Sequence, residues 1–251
     1  MLIINYRNKK PKEKITMAEL KQTRTFSRNI TVYRVVMCAL MAALVYVGNY
    51  LQIKIPNGVF ITRIHFGNSM CLLAGLLFGP LTGGLASGIG AMLYDLFDPV
   101  YIISAPYTFL SKFAMGFAAG LLNRYLHGTL PGKDTFTAYV SAIIGQIVYI
   151  ILYLLKTYCA VTIPGGTPEA AWTAVGGNAL TSSVNAAIAV LVSVPLYFAL
   201  KKALSNNVTG ELIAENDTGE RKIKLPVVLI SAVLFIAALA GGILIAVLLK
   251  K

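Results

Sequence analysis

Long apolar runs broken by short polar stretches organise this chain. A run of about twenty apolar residues matches the hydrocarbon thickness of a bilayer. Seven candidates are found, at Val32–Ile53, His65–Phe78, Gly79–Phe97, Ile102–Leu122, Tyr139–Tyr158, Gly176–Leu200 and Leu225–Leu249. Only Phe78-Gly79-Pro80, a helix-breaking turn, divides the second from the third. The second is short for a full span. The pattern predicts an all-α integral membrane protein: a six-helix bundle plus one extra C-terminal transmembrane helix. Residues 1–31 read as a basic cytoplasmic segment, 32–204 as the six-helix membrane domain, 205–224 as a cytoplasmic linker, and 225–251 as the additional helix. The linker assignment rests on Asn206, Asn207, Gly210, Asn216, Asp217 and Gly219.

Polar residues inside spans are costly in lipid and turn toward the bundle interior. On the fifth span Gln146, Tyr149, Tyr153 and Lys156 recur at helical spacing and share one face. Asn178, Thr181, Ser182 and Asn185 do so on the sixth, and Ser104, Thr108, Ser111 and Lys112 on the fourth. With the directions the spans alternate through, all three faces fall in the outer half of the membrane. A pocket open to the outside explains the convergence; interhelical hydrogen bonding is the alternative. An intramembrane lysine needs a partner or must lose its proton. Asp95, the only acid within a span, is a candidate partner for Lys112, which can serve as an ion pair, a ligand contact or both. The segment Lys54–Arg63 reads as a loop that either lids the pocket or lies at the interface. Trp172 reads as an interface anchor in the loop before the sixth span.

Composition changes the picture in one respect. The chain has 251 residues, is 57% apolar and 13% charged, and carries a net charge of +12. That basicity flanks hydrophobic spans, where it sets topology and meets lipid headgroups, so no nucleic-acid partner is expected. Segments that are cytoplasmic when the N-terminus is inside hold 15 lysines and arginines, against five in the outer segments. The N-terminus is therefore expected in the cytoplasm. The first apolar run begins too deep for a signal peptide. The three cysteines show no metal-ligand spacing, and no metal or cofactor is expected. No GxxxxGK[ST], HExxH or GxSxG occurs, so neither ATP hydrolysis by a phosphate loop nor an enzyme is supported.

Small residues mark close helix contacts at Gly84-x-x-x-Gly88 and Gly116-x-x-x-Gly120. On the first span Ala39-x-x-x-Ala43, with Ala42 beside it, either packs inside the bundle or offers a docking face.

The runs Pro56-Asn-Gly-Val-Phe-Ile-Thr-Arg-Ile-His-Phe-Gly-Asn68, Leu72-Leu-Ala-Gly-Leu-Leu-Phe-Gly-Pro80, Gly88-Ile-Gly-Ala-Met-Leu-Tyr-Asp95 and Pro106-Tyr-Thr-Phe-Leu-Ser-Lys-Phe-Ala-Met-Gly116 carry a resemblance. Over roughly residues 30–204 the chain resembles S components of energy-coupling factor (ECF) importers, most of all their riboflavin-type group. The resemblance implies a six-helix protein in a prokaryotic cell membrane that captures a vitamin or precursor from outside. It also implies partners: a transmembrane coupling subunit docked on Ala39, Ala42 and Ala43, and two ATPase subunits that drive import. Two departures stand out: the seventh span, and Asn68 where that group has an acid.

The candidate substrate-binding set is Asn68, Asp95, Tyr107, Thr108, Lys112, Gln146, Tyr149, Tyr153, Asn178, Ser182 and Asn185. Riboflavin is the first ligand expected, with Tyr107, Tyr149 and Tyr153 available to stack on a flavin; thiamine precursors, pantothenate, folate and a queuosine precursor stay open. The other readings are a stand-alone secondary transporter and a membrane assembly protein.

Overall fold

The computed structural model describes the backbone of residues 17–204 except 58, 59 and 131, and the side chains of 32–204 except 55–62 and 131. The expected linker and the seventh span at Leu225–Leu249 lie outside the described residues, as does most of the basic N-terminal segment. The elements are α1 (Met17–Tyr50), β1 (Gln52–Asn57), β2 (Phe60–His65), α2 (Gly67–Phe97), a 3₁₀ turn (Ile102–Ser104), α3 (Ala105–Thr129), α4 (Asp134–Thr162) and α5 (Pro168–Leu204). Four helical segments are long and apolar enough to cross a membrane: Val32–Tyr50, Gly67–Phe97, Asp134–Thr162 and Pro168–Leu204.

The second and third expected spans are the two arms of α2. Gly79 has φ 78° and ψ −173°, a backbone shape that a side chain resists, and Pro80 removes the next amide donor. The chain reverses there. Ser87 Oγ donates to the Cys71 carbonyl at 3.1 Å, although a straight helix would hold residues sixteen apart at about 24 Å. The described bundle thus has five helical elements, one folded on itself, where six separate helices were expected.

Glycine seams draw these pieces together. A methyl group on Gly83 would strike the Gly75 Cα and the Ala74 carbonyl; one on Gly116 would strike Ser87 Oγ and the Gly83 carbonyl; one on Gly120 would meet Gly79 and Pro80. Gly84 and Gly88 lie under the rings of Phe113 and Phe109. Both predicted small-residue motifs therefore lie on the α2–α3 seam. Leu72, Leu73, Leu76, Leu77, Met115 and Val45 fill the core beside it.

Several boundaries differ from expectation, most of them helices that run past the apolar stretch. His65 closes β2 instead of opening a helix, and the segment expected as a loop over Lys54–Arg63 is most of an antiparallel hairpin. Helix α5 begins at Pro168, not Gly176, so Trp172 lies on its first turns, exposed and tilted against Tyr158 at 5.3 Å between ring centroids. Hydropathy ends where the apolar run ends, but at about 1.5 Å per residue a 37-residue helix runs to about 55 Å, well past the hydrocarbon. On α1, Ala39 and Ala43 are exposed, whereas Ala42 is buried with its carbonyl against Gly90. Ala42 therefore does not belong to the outward face shared by the other two.

Replacing Gly83 with leucine should destabilise the bundle by about 1–3 kcal/mol, because backbone rather than a mobile side chain occupies the needed space. Gly128→Ala, at a position with open space, is the control. Thermal melts of the two variants in detergent check this.

Candidate functional site

The hairpin has an inverted pattern. Its register pairs Gln52 with His65 and Lys54 with Arg63, so these four polar residues share one face, while Ile53 and Ile64 pair on the other. The polar face turns toward the helices. Gln52 Nε2 donates to the Tyr94 hydroxyl, Lys54 Nζ meets Asp98 at 2.9 Å, and Arg63 Nη2 is ion-paired with buried Asp95. Ile53 is exposed on the opposite face. From α5, Asn185 clamps the β2 backbone in both directions: its Oδ1 accepts from the His65 amide at 3.0 Å, and its Nδ2 donates to the Arg63 carbonyl at 2.7 Å.

Beneath the hairpin lies a narrow polar cavity of about 30 Å³ that opens at a mouth. Arg63 and His65 come from β2, Asp95 from α2, and Tyr101 from the turn before α3. Helix α3 contributes Tyr107, Thr108, Ser111 and Lys112; α4 contributes Tyr149, Tyr153 and Lys156; α5 contributes Ser182 and Asn185. Helical spacing places those on each helix on a single face; glycine contacts draw α2, α3 and α4 together, and Asn185 ties α5 to β2.

Lys112 is anchored at the cavity's inner end. Its Nζ donates to Asn68 Oδ1 and stands 4.0 Å from the Tyr149 ring centroid. Asn68 Nδ2 in turn reaches Gln146 Oε1 at 3.4 Å, a chain joining α3, α2 and α4. Tyr149 stacks on Tyr153 at 5.8 Å. The Tyr107 hydroxyl is bonded to the Leu152 carbonyl, and Lys156 lies 5.7 Å from the Tyr107 ring centroid. Arg63 sits 4.0 Å over the Tyr101 ring. Among the described residues, Arg63 Nη1, Asp95 Oδ2 and Gln146 Nε2 are buried without a hydrogen-bond partner.

Of the residues singled out from sequence, Asp95, Tyr107, Thr108, Lys112, Tyr149, Tyr153, Ser182 and Asn185 line the cavity. Asn68 and Gln146 stand behind Lys112, and Asn178 bonds Thr157 at 3.1 Å as an α4–α5 tie. The expected Lys112–Asp95 pair is not formed. Arg63 takes Asp95 because the hairpin folds back over the second arm of α2, and an amide takes Lys112. Arg63, His65, Tyr101, Ser111 and Lys156 lie outside the candidate binding set, although helical spacing puts Ser111 and Lys156 on the inward faces of their helices. The alternation Gln-Ile-Lys-Ile over 52–55 was the available signal, hidden because its polar side faces inward.

Outside the spans, the charges follow their surroundings. Burial, reinforced by Lys112 and Arg63, holds the His65 imidazole well below its ordinary value, and its Nδ1 accepts from the Gly67 amide at 3.1 Å. Burial lifts the Tyr101 hydroxyl to about 12 against the pull of Arg63. Burial opposes ionisation of Asp98, but bonds from Lys54 and the Val100 amide outweigh it and hold the carboxyl below its usual range. Among the described residues no three His, Cys, Asp or Glu side chains stand together as metal ligands.

A helical membrane protein with a polar cavity closed over by a strand hairpin is the class these features define. The chain belongs to the family described as ECF-type riboflavin transporter, S component, which matches residues 29–202. The solved S component of a bacterial ECF transporter has a similar fold, with a TM-score of 0.53 and 20% identity over 69% of this chain and 98% of that one. A protein of Pyrococcus woesei described as an uncharacterized protein in gap 3'region is 29% identical over 116 residues, 46% of this chain and 72% of the relative.

Asp95→Asn should cost about 3–5 kcal/mol by stranding the Arg63 guanidinium, and combining Arg63→Met with Asp95→Leu should recover most of the loss in a thermal melt. A second expectation concerns pH. His65 stays neutral in the fold, while the unfolded chain takes up a proton near the ordinary value of 6.5. Its contribution is complete above that pH and declines below it, by about 1.4 kcal/mol per pH unit. Melts between pH 7.5 and 5.5 should show this slope, and His65→Asn should flatten it.

Proposed function

We propose that the chain captures a vitamin or vitamin precursor outside the cell and hands it to an ECF-type transporter whose partner subunits hydrolyse ATP. Membership of the S-component family is the observation that carries this reading. The polar cavity supports it, since a packed bundle has no need to line an open space with three cations and an acid. Riboflavin, named in the family's description, is the first compound to test.

The lysine and arginine distribution favours a cytoplasmic N-terminus, which sets the hairpin and the cavity mouth on the outer side of a multi-pass cell-membrane protein. Loading from outside follows. The chain has no phosphate loop, so the energy for release inward comes from ATPase partners through a coupling subunit. Ala39 and Ala43, exposed one turn apart on α1, form the flat strip on which that subunit docks.

Ala39→Trp with Ala43→Trp should abolish uptake into cells carrying the coupling and ATPase subunits, while ligand affinity of the purified chain stays within about threefold. Equal loss of uptake and binding, or of neither, contradicts docking through this strip. Uptake that persists without the ATPase subunits points instead to a stand-alone transporter.

A further inference from the structure

Lipid and protein interior alike penalise a charge that lacks a counter-charge. The cavity wall holds three cations, Arg63, Lys112 and Lys156, and one carboxylate, Asp95. Arg63 already occupies Asp95. The other acids among residues 32–204 are committed or remote. Asp98 holds Lys54, Asp134 stands 3.6 Å from both His127 and Lys201, and Glu169 is exposed on the first turn of α5. His65 is held neutral and offers no negative charge. Among the described residues Lys112 contacts an amide oxygen and the face of Tyr149, and Lys156 the face of Tyr107; Asp95 acts on both lysines only through space, opposed by Arg63 beside it. Aromatic faces steady a cation by about 0.5–2 kcal/mol, without neutralising it.

Two lysines thus face one cavity with donors to spare; among the described residues the buried Arg63 Nη1 on the same wall is a further donor without a partner, and Asp95 Oδ2 an acceptor without one. The same geometry weakens the expectation that Tyr107 and Tyr149 stack on a neutral ring, because each already has a cation over one face.

Resting on the capture reading above, we infer that the cavity's ligand is an anion, a small molecule whose carboxylate or phosphate supplies the counter-charge missing from Lys112 and Lys156. A neutral vitamin would leave both lysines uncompensated or oblige them to give up their protons, while an acid would place its negative charge in the cavity they share. Bound acid joins α3 to α4 across the cavity, so occupancy should also stiffen the bundle.

The test is a thermal-shift and affinity comparison of the full chain in detergent, using compounds that differ only in their acid group. Suitable pairs are nicotinate and nicotinamide, pantothenate and pantothenol, riboflavin 5′-phosphate and riboflavin, and pyridoxal 5′-phosphate and pyridoxal. The stabilising compound should be the acid of its pair, at least tenfold tighter than its neutral counterpart. Lys112→Met and Lys156→Met should each weaken it at least tenfold, and Lys156→Arg should keep it within about threefold. Without ligand, Lys156→Met should melt no lower than the parent chain, since it removes a charge that no carboxylate compensates. A neutral member that binds as tightly as its acid, or acid binding indifferent to Lys156→Met, overturns the inference and leaves capture standing. Where no pair stabilises the chain, the charge of the compound that co-purifies with it decides: an acid supports the inference, a neutral compound overturns it, and a chain that holds none overturns the capture reading as well.

Discussion

The pairing of Arg63 with Asp95 is the interaction on which the cavity depends. One partner is in a strand hairpin and the other near the end of the second arm of α2, so the pair fastens the hairpin over the bundle. Buried away from water, neither charge is tolerable alone. The hairpin turns its polar face inward for the same reason, with Gln52, Lys54, Arg63 and His65 all directed at the helices and Ile53 left outside. Asn185 then fixes β2 by its backbone, which makes the hairpin a wall of the cavity rather than a surface loop.

A second constraint is close packing. The reversal at Gly79 places Gly75 against Gly83, and α3 fits beside both through Gly116 and Gly120. Apolar attraction is weak between helices already solvated by lipid, so backbone proximity has to supply much of the cohesion. That proximity also sets the cavity's depth, because α3 carries Lys112 and the first arm of α2 carries Asn68. Fold and site are therefore linked through the same seam.

The helical body was legible in the sequence because lipid imposes a length and a polarity that few other environments demand. The faces of α3, α4 and α5 were legible too, since polar residues in apolar helices have to turn inward; Thr108, Lys112, Tyr149, Tyr153, Ser182 and Asn185 follow from spacing alone. Less legible was anything set by tertiary docking. The hairpin was read as a loop because its polar–apolar alternation gives no sign of which side faces protein. Asp95 was matched with Lys112 because the hairpin that brings Arg63 to it could not be foreseen from helical spacing. Ala42 was grouped with Ala39 and Ala43, although one step along a helix turns a side chain by about 100°, enough to bury it against Gly90.

Capture of a small molecule is the central claim, and native mass spectrometry of the full chain purified from cells grown in rich medium tests it most directly. One co-purifying compound is expected at close to one molecule per chain, released when the protein is denatured. A chain that is uniformly empty, and that stays empty after incubation with a concentrated extract of the same medium, would contradict it.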